Sequence, residues 1–268
     1  MIERAFAKVN LALHVRRRRS DGYHELETLF AFTDFGDTLK VVAGDGLSLA
    51  VDGAFAAAAG DSEDNLVVRA ARALAAAASI EADAALTLHK AIPVAAGLGG
   101  GSADAAAALR LLNAFWRLDW PLARLAELAA PLGADVPACV FSGTLAGKGR
   151  GDVLAPIDLG LAGTPCLLVN PRVAVATGPV FAAWDGCDRG PLEPVEWRTA
   201  RNDLAGPATV LAPVIADVLA ALASTEATFV QMSGSGATCL ALYASEVARD
   251  AAATILPPAW WSAATHLR

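Results

Sequence analysis

The sequence predicts an α+β fold in two domains. Stretches with strand character and stretches with helix character segregate along the 268 residues, whereas a doubly wound sheet requires them to alternate. This length is sufficient for two modest domains, each with its own core. The composition changes after Gly143, where three glycines lie within residues 147–151. We therefore expect one domain over residues 1–152 and a second over residues 153–268.

The first third of the chain is expected to be rich in strands. Apolar and polar residues alternate over 9–15, which is the pattern of a strand with one buried face. Further strands are expected across 37–51, interrupted by the Gly-Asp-Gly turn at 44–46. The helical spacing of leucine and alanine predicts a helix over 65–78, and a short strand is predicted over 85–89.

The middle of the chain is expected to change from helices to strands. A glycine-rich loop over 93–101 precedes two predicted helices, over 102–115 and 121–130. A strand is predicted over 166–169. Proline and glycine are frequent over 178–194, and this composition predicts an irregular connection.

The last part of the chain is predicted to form a helix and then two strands. The helix spans residues 213–223, and the strands span 228–231 and 239–243. Between the strands lies a second glycine loop, for which the simplest interpretation is a hairpin turn. This loop consists of Ser233, Gly234, Ser235 and Gly236.

Charge and hydropathy exclude several classes of protein. Lysine and arginine number 21 against 28 acidic residues, a net charge of −7 that disfavours general nucleic-acid binding. No run of 18 apolar residues is free of charge, so a membrane span is excluded. No apolar segment follows Glu3 and Arg4, as a signal peptide would require. The four cysteines lack metal-site spacing and predict buried, reduced thiols. We expect a cytoplasmic protein without a nucleic-acid or membrane partner.

The glycine loop over 93–102 is the most informative stretch. Its glycines allow the backbone to approach a ligand closely, and the N-terminus of the helix that follows favours an anion such as phosphate. The alternative is a flexible loop in which Ser102 caps the helix. No lysine follows the glycines as in a Walker A loop, and Ser102 and Asp104 stand where a dinucleotide fingerprint needs glycine. Because Asp104 would repel a phosphate, we expect magnesium or Lys90 to compensate its charge.

Three segments together resemble the motifs of the GHMP kinases, a superfamily that includes galactokinase, homoserine kinase and mevalonate kinase. They are residues 7–11 (AKVNL), 93–103 (PVAAGLGGGSA) and 232–237 (MSGSGA). This resemblance implies a two-domain GHMP kinase fold with the active site in the inter-domain cleft. It also implies ATP and Mg²⁺ as cofactors.

A further segment resembles one subgroup of these kinases. Residues 20–29 (SDGYHELETL) are similar to a signature of the subgroup, and residues 133–137 and 202–204 resemble its later blocks. The similarity covers most of the chain but departs at 178–181 and at 260–261. The resemblance implies ATP-dependent phosphorylation of the 2-hydroxyl of a CDP-linked methylerythritol, a small-molecule substrate of the non-mevalonate isoprenoid pathway.

The resemblance assigns the catalytic roles to Asp135 and Lys8. Asp135 would accept the proton of the substrate hydroxyl, and Lys8 would stabilise the alkoxide character that develops there. The residues alone are equally consistent with Asp135 as a helix N-cap and with Lys8 as a solvated side chain on a strand.

Five residues are implied to bind the substrate. Tyr23 and His24 would hold the cytosine, Phe181 would cover its opposite face, and Thr177 would lie nearby. Asn10 would form a hydrogen bond with the substrate. Without the resemblance, Tyr23 and His24 are equally an ordinary surface pair.

The resemblance implies that ATP binds along the second motif. The residues concerned are Asn65, Lys90, Pro93, Ala95, Ala96, Gly97, Leu98, Gly99, Gly100, Gly101, Ser102 and Ala103. Asn65 would contact the adenine end, and Ser102 is a candidate magnesium ligand through its hydroxyl. The second glycine loop, residues 233–236, would support the phosphate loop. The basic residues 16–19 would either steer the substrate diphosphate or form a solvated surface.

Two rival functions are consistent with parts of the pattern. The first is a GHMP kinase that acts on homoserine, mevalonate or a sugar, and residues 20–29 argue against it. The second is a non-catalytic nucleotide-binding sensor, which would need neither Lys8 nor Asp135.

Overall fold

The computed structural model describes residues 1–59 and 63–268 and divides the chain into two compact units. The first unit comprises residues 1–7, 36–94 and 99–142. The second unit comprises residues 8–35, 95–98 and 143–268. The segments of the two units alternate along the chain. The expected division into domains over residues 1–152 and 153–268 stays a prediction. None of the helices in the described ranges is long and apolar enough to cross a membrane.

Two long paired strands contribute residues to both units. They are β1 (Ile2–Arg18) and β2 (His24–Val42). The alternation over 9–15 predicted that one face of β1 is exposed, and this was wrong, because residues 7–15 are buried on both faces. The polar face is buried because its side chains are hydrogen-bonded within the protein, as Lys8 and Asn10 are.

In its described residues, the first unit combines short strands with four α-helices. Strand β3 (Leu47–Asp52) runs parallel to β4 (Ala84–His89), and β4 pairs antiparallel with the last residues of β2. The helices are α1 (Leu66–Ala78), α2 (Gly100–Phe115), α3 (Leu122–Ala129) and α4 (Val136–Phe141). Helix α2 packs against α1 and α4, and its contact face consists largely of buried alanines. The predicted strands and the first three helices are thereby confirmed, and α4 follows Asp135, where a helix start was one of the alternatives.

The helix at the end of the glycine loop begins earlier than predicted. Gly99 occupies the N-cap position with a left-handed φ of 63°, and α2 therefore starts at Gly100. Ser102 is the third residue of the helix, so the alternative in which Ser102 is the N-cap was wrong. Glycine adopts this φ without strain, which explains why the helix begins there.

The second unit is built on two groups of antiparallel strands. Strands β5 (Leu145–Gly149) and β6 (Val153–Pro156) form a hairpin, and β5 pairs with the first half of β2. The order β10-β7-β9-β8 defines a separate four-stranded sheet. Its strands are β7 (Pro165–Asn170), β8 (Phe229–Met232), β9 (Cys239–Leu242) and β10 (Trp261–His266). The helices of this unit are α5 (Thr177–Ala182), α6 (Ala205–Leu211), α7 (Val214–Ala223) and α8 (Glu246–Ile255).

Two parts of the second unit differ from the sequence expectations. The connection over 178–194 begins with helix α5, so it is not irregular throughout. Trp261, in the tail that the sequence did not place, begins β10 and lies opposite Asn170 of β7. All four cysteines are free thiols, and Cys187 is exposed whereas Cys139, Cys166 and Cys239 are buried as predicted.

Candidate active site

A buried chain of hydrogen bonds holds Lys8 on β1. The Lys8 side chain is only 4% exposed, and its Nζ donates to Asn10 Oδ1 at 2.9 Å. Asn10 Nδ2 donates to the Thr28 hydroxyl at 2.8 Å, and this hydroxyl donates to the Ala12 carbonyl at 2.7 Å. Lys8 Nζ also lies 5.4 Å from the centre of the Phe30 ring. The interpretation of Lys8 as a solvated side chain was therefore wrong, and Thr28 belongs to the same chain of hydrogen bonds.

The second glycine loop and part of the first one meet in the second unit. Ser233 Oγ accepts from the Asn10 backbone N–H at 3.2 Å and donates to the Gly97 carbonyl at 2.8 Å. A Cβ on Gly97 would lie 2.6 Å from the Ser233 carbonyl oxygen and 2.7 Å from that of Gly236. Residues of all three motifs therefore lie together in this unit, at a spacing that leaves no room for a side chain at position 97.

The glycine loop from Pro93 leads into the first turn of α2. Ala95, Gly97 and Gly99 all have left-handed φ values, of 54°, 78° and 63°. Ala96 and Leu98 are buried, and their carbonyls accept from Thr238 N–H and Lys8 N–H respectively. The first turn of α2 consists of Gly100, Gly101, Ser102 and Ala103. The first N–H groups of a helix have no acceptor within it, and together with the helix dipole they favour an anion.

Lys90 lies in a buried cluster of charges in the first unit. Its Nζ donates to Asp104 Oδ2 in α2 at 2.7 Å and to Asp37 Oδ2 on β2 at 2.5 Å. The second Asp37 oxygen accepts the backbone N–H groups of Ala91 and Ile92 at 2.6 and 2.8 Å. Asp37 therefore links β2, the segment before the glycine loop and α2. The proximity of Lys90 and Asp104 agrees with the expectation that Lys90 compensates this charge, whereas no expectation concerned Asp37.

Burial controls the charges of this cluster. Burial acts to lower the pKa of Lys90, but the charges of Asp104 and Asp37 outweigh it and raise that pKa. Burial above all raises the pKa of Asp104 to about 8, against the attraction of Lys90 and with the help of repulsion from Asp37. Asp104 Oδ1 is buried and has no hydrogen-bond partner in the described part of the chain. The ammonium of Lys90 is thus bonded to two aspartate side chains, and its role toward ATP stays a prediction.

Asp135 directly precedes α4. Its φ of −84° and ψ of −15° are helical, and within residues 1–59 and 63–268 its side chain makes no hydrogen bond that caps the helix. The alternative that Asp135 is a capping carboxylate was therefore wrong. Pro137 lies in the first turn of α4, as its fixed φ favours. The catalytic role of Asp135 stays a prediction.

Two aromatic rings, those of Phe181 and Trp184, pack against the His24 ring in the second unit. The His24 ring centre lies 4.9 Å from that of Phe181 and 5.7 Å from that of Trp184, which meets it edge-on. His24 Nε2 and Trp184 Nε1 are both buried without a hydrogen-bond partner among the residues described. Burial, and then the charge of Arg18, lowers the pKa of His24, so its imidazole is neutral at pH 7. Trp184 is a member of this cluster that the sequence analysis did not identify.

Tyr23 directly precedes His24 in the sequence, and Thr177 precedes Phe181 on the same helix. The Tyr23 side chain is 53% exposed, and the Arg150 guanidinium lies 5.1 Å from its ring centre. Thr177 begins α5, the helix that also carries Phe181, and its hydroxyl is 3.0 Å from that of Ser235. An ordinary surface pair describes the exposed Tyr23 but not the packed His24.

Asn65 and the basic residues 16–19 have structural partners. Asn65 caps α1, because its Oδ1 accepts the Val67 backbone N–H at 2.9 Å. Each arginine of the basic segment contacts a carboxylate or a carbonyl, which reduces the positive charge it presents to solvent. These contacts are Arg16 with Glu27 and Asp188, Arg17 with Glu25, Arg18 with the Ala182 and Trp184 carbonyls, and Arg19 with Asp21 and Glu25. The roles of Asn65 toward ATP and of the arginines toward a diphosphate stay predictions.

Comparison with known proteins assigns the family. The family model described as GHMP kinases N terminal domain matches residues 65–143, and the one described as GHMP kinases C terminal matches residues 195–263. A protein of Rhizorhabdus wittichii named 4-diphosphocytidyl-2-C-methyl-D-erythritol kinase is 55% identical, over 99% of this chain and 94% of that protein. A protein of Novosphingobium aromaticivorans with the same name is 53% identical, over 99% and 92%.

A solved structure agrees with these relatives. A crystal structure of 4-(cytidine 5'-diphospho)-2C-methyl-D-erythritol kinase matches this chain with a TM-score of 0.87 and 35% sequence identity. The match covers 100% of this chain and 99% of the chain in that structure. The α+β fold expected from the sequence is thereby confirmed. The chain belongs to the GHMP kinases and, within them, to the family of the 4-diphosphocytidyl-2-C-methyl-D-erythritol kinases.

Proposed function

We propose that the chain transfers the γ-phosphoryl group of ATP to the 2-hydroxyl of 4-diphosphocytidyl-2-C-methyl-D-erythritol, giving the 2-phosphate and ADP. This reaction belongs to the non-mevalonate pathway of isoprenoid biosynthesis. The observation that carries the proposal is the near full-length similarity to relatives named for this activity. A cytoplasmic location, expected from the composition, is part of the same proposal.

The aromatic cluster supports recognition of the cytidine. A cytosine presents flat faces to aromatic rings and a polar edge to donors and acceptors. His24 supplies a neutral imidazole whose Nε2 is without a partner in the described chain, and Phe181 packs beside it. We propose that these two side chains and Tyr23 hold the base, with Thr177 nearby and Asn10 as a partner of the substrate.

Asp135 and Lys8 are proposed to act on the reacting hydroxyl. The carboxylate of Asp135 would accept the hydroxyl proton as the bond to phosphorus forms, and the ammonium of Lys8 would stabilise the negative charge on that oxygen. A carboxylate is a weak base in water, so positioning is expected to matter more than basicity. The hydrogen bond from Lys8 to Asn10 supports this role, because it fixes the ammonium on the buried face of β1.

The first turn of α2 is proposed to bind the phosphates of ATP. The N–H groups of this turn attract an anion, and the glycines before it allow the backbone to approach the anion closely. Among the described residues, no group of three or more histidine, cysteine or acidic side chains could hold a metal by itself. Magnesium that also binds nucleotide phosphates needs only one or two protein oxygens, and the hydroxyl of Ser102 fits that need. The ion would neutralise charge on the transferred group.

The proposal is tested by measuring ADP release from ATP and magnesium in the presence of one alcohol at a time. The alcohols are 4-diphosphocytidyl-2-C-methyl-D-erythritol, mevalonate, homoserine and galactose. We expect turnover with the cytidyl compound alone. Turnover with a different alcohol would support a kinase but would contradict the proposed substrate. ATP binding by the folded protein without turnover on any of them would favour the sensor.

A further inference from the structure

We infer that Arg150 is a positioning residue for the nucleobase site, because it stacks on Tyr23 and fixes the ring that faces the base. This inference rests on the proposed function. Arg150 lies in the turn that joins β5 to β6, and its guanidinium carbon is 5.1 Å from the centre of the Tyr23 ring. That distance is within the range of a cation–π interaction, in which the guanidinium plane can also stack on the ring.

The guanidinium is itself held in place by Asp152. Arg150 Nε and Nη2 both donate to Asp152 Oδ2, at 2.9 and 2.7 Å, and the Arg150 backbone N–H donates to Oδ1 at 3.0 Å. Gly149 and Gly151 flank the arginine with left-handed φ values of 71° and 93°. A Cβ on Gly149 would lie 3.0 Å from Asp152 Oδ1. Because glycine has no Cβ, the turn leaves room for this carboxylate. The arginine is thus presented by a tight turn rather than by a free side chain.

The backbone of Tyr23 is fixed independently. Arg19 donates from Nε and Nη2 to the carboxylate of Asp21, and Asp21 Oδ1 accepts the Tyr23 backbone N–H at 3.1 Å. The Arg19 N–H donates to the Tyr23 carbonyl at 2.8 Å. The turn over 19–23 therefore holds the main chain, while the exposed Tyr23 ring obtains its support from Arg150.

This arrangement has a consequence for affinity. A half-exposed tyrosine that must be ordered when a base stacks on it loses rotamer freedom on binding, and a partner that orders it beforehand removes that cost. We expect loss of Arg150 to weaken binding of a cytidine nucleotide roughly threefold to tenfold. The turnover number and the KM for ATP are expected to stay unchanged, because Arg150 acts through a ring that binds only the base.

The test measures the Kd for CDP by titration calorimetry with the full chain. The variants are Arg150→Ala, Arg150→Lys and Asp152→Asn, and the matched control is Arg124→Ala. Arg124 makes a contact of the same type, 3.3 Å from the Trp120 ring centre in the first unit, and has no place in the proposed site. We expect a raised Kd for Arg150→Ala, a smaller rise for the other two, and no change for the control.

A double-mutant cycle separates positioning from direct contact. In a Tyr23→Ala background, Arg150→Ala is expected to have no further effect on the Kd for CDP. The inference is overturned if Arg150→Ala and the control bind CDP equally well, or if Arg150→Ala keeps its full effect without Tyr23. Wild-type protein that does not bind CDP at all would instead reject the proposed cytidine site, so the two failures are distinguishable.

Discussion

Polar side chains on β1 and β2 are buried and are held by hydrogen bonds. Lys8 and Asp37 are both almost inaccessible to water, and each is held by directional contacts rather than by packing alone. A buried ammonium or carboxylate is costly unless it is paired or hydrogen-bonded. The contacts that offset this cost also fix the position of each charge, which is what phosphoryl transfer requires.

Asp135→Asn is expected to lower turnover with the cytidyl substrate at least about 100-fold. Asparagine has nearly the same shape as aspartate but cannot accept the hydroxyl proton, so the fold is expected to survive the change. Steady-state kcat and the thermal unfolding curve of the same preparation check this together. A folded Asp135→Asn protein that retains more than a tenth of wild-type turnover would contradict the catalytic assignment.

Asp104→Asn is expected to change how stability depends on pH. The pKa of Asp104 is about 8 in the folded state and 3.8 when unperturbed, so the folded state binds this proton more tightly. The stability from this group is fully present below about pH 4 and is lost as the pH rises toward 8. Relative to the variant, the wild type should lose at most about 1.4 kcal/mol per pH unit over this interval.

Urea unfolding of both proteins at pH 5, 6, 7 and 8, without nucleotide, measures this difference. Lys90→Met serves as a comparison, because it removes the cation that the two carboxylates share. Parallel pH profiles for the wild type and Asp104→Asn would contradict the raised pKa.

Motifs in the sequence indicated some of the buried polar residues and not others. Motif resemblance pointed to Lys8 and Asp135, whose catalytic roles stay predictions. Nothing local in the sequence distinguishes Thr28 or Asp37. Asp37 contacts Lys90 across 53 positions of sequence, and only the fold brings that pair together. The burial of the polar face of β1 was missed for the same reason, since Asn10 on that face is hydrogen-bonded to Thr28 on β2.

Glycine positions determine the form of the elements around the first glycine loop. Gly97→Ala should destabilise the protein by more than about 1 kcal/mol, because the new Cβ would meet two carbonyl oxygens at a φ of 78°. Gly206→Ala in α6 is the matched control, since a Cβ there meets no atom within 4 Å in the described structure. That substitution should stabilise the helix by about 0.5–1 kcal/mol.

Chemical denaturation of the two alanine variants gives the comparison directly. Opposite signs of the change in unfolding free energy are expected. A Gly97→Ala protein as stable as the wild type would show that the contact between the two glycine loops is not tight.

Some elements were predictable from the periodicity or the turn residues of the sequence, and others were not. Helices α1, α2 and α7 have enough residues for a 3.6-residue period to appear, and the strands β7 to β9 have turn residues at their ends. Helices α4 and α5 have six residues each, which is too few for a periodic signal. In α5 the residues Gly178 and Pro179 also indicate a loop when they are considered alone.

At the scale of the whole molecule, the division into units could not be derived from composition. Strands β1 and β2 each contribute to both compact units, so no single position along the chain separates them. The α+β class was nevertheless predictable, because strand-rich and helix-rich stretches segregate. The family was predictable as well, since three motifs and the residues 20–29 survive in order along the sequence.

Phosphorus NMR of the reaction product directly tests the proposed transfer of a phosphoryl group to the 2-hydroxyl. The purified protein is incubated with ATP, magnesium and 4-diphosphocytidyl-2-C-methyl-D-erythritol, and the product is isolated. We expect one new phosphate monoester on the 2-hydroxyl, an intact diphosphate and an equimolar amount of ADP. A substrate recovered unchanged, or a phosphate on a different hydroxyl, would contradict it.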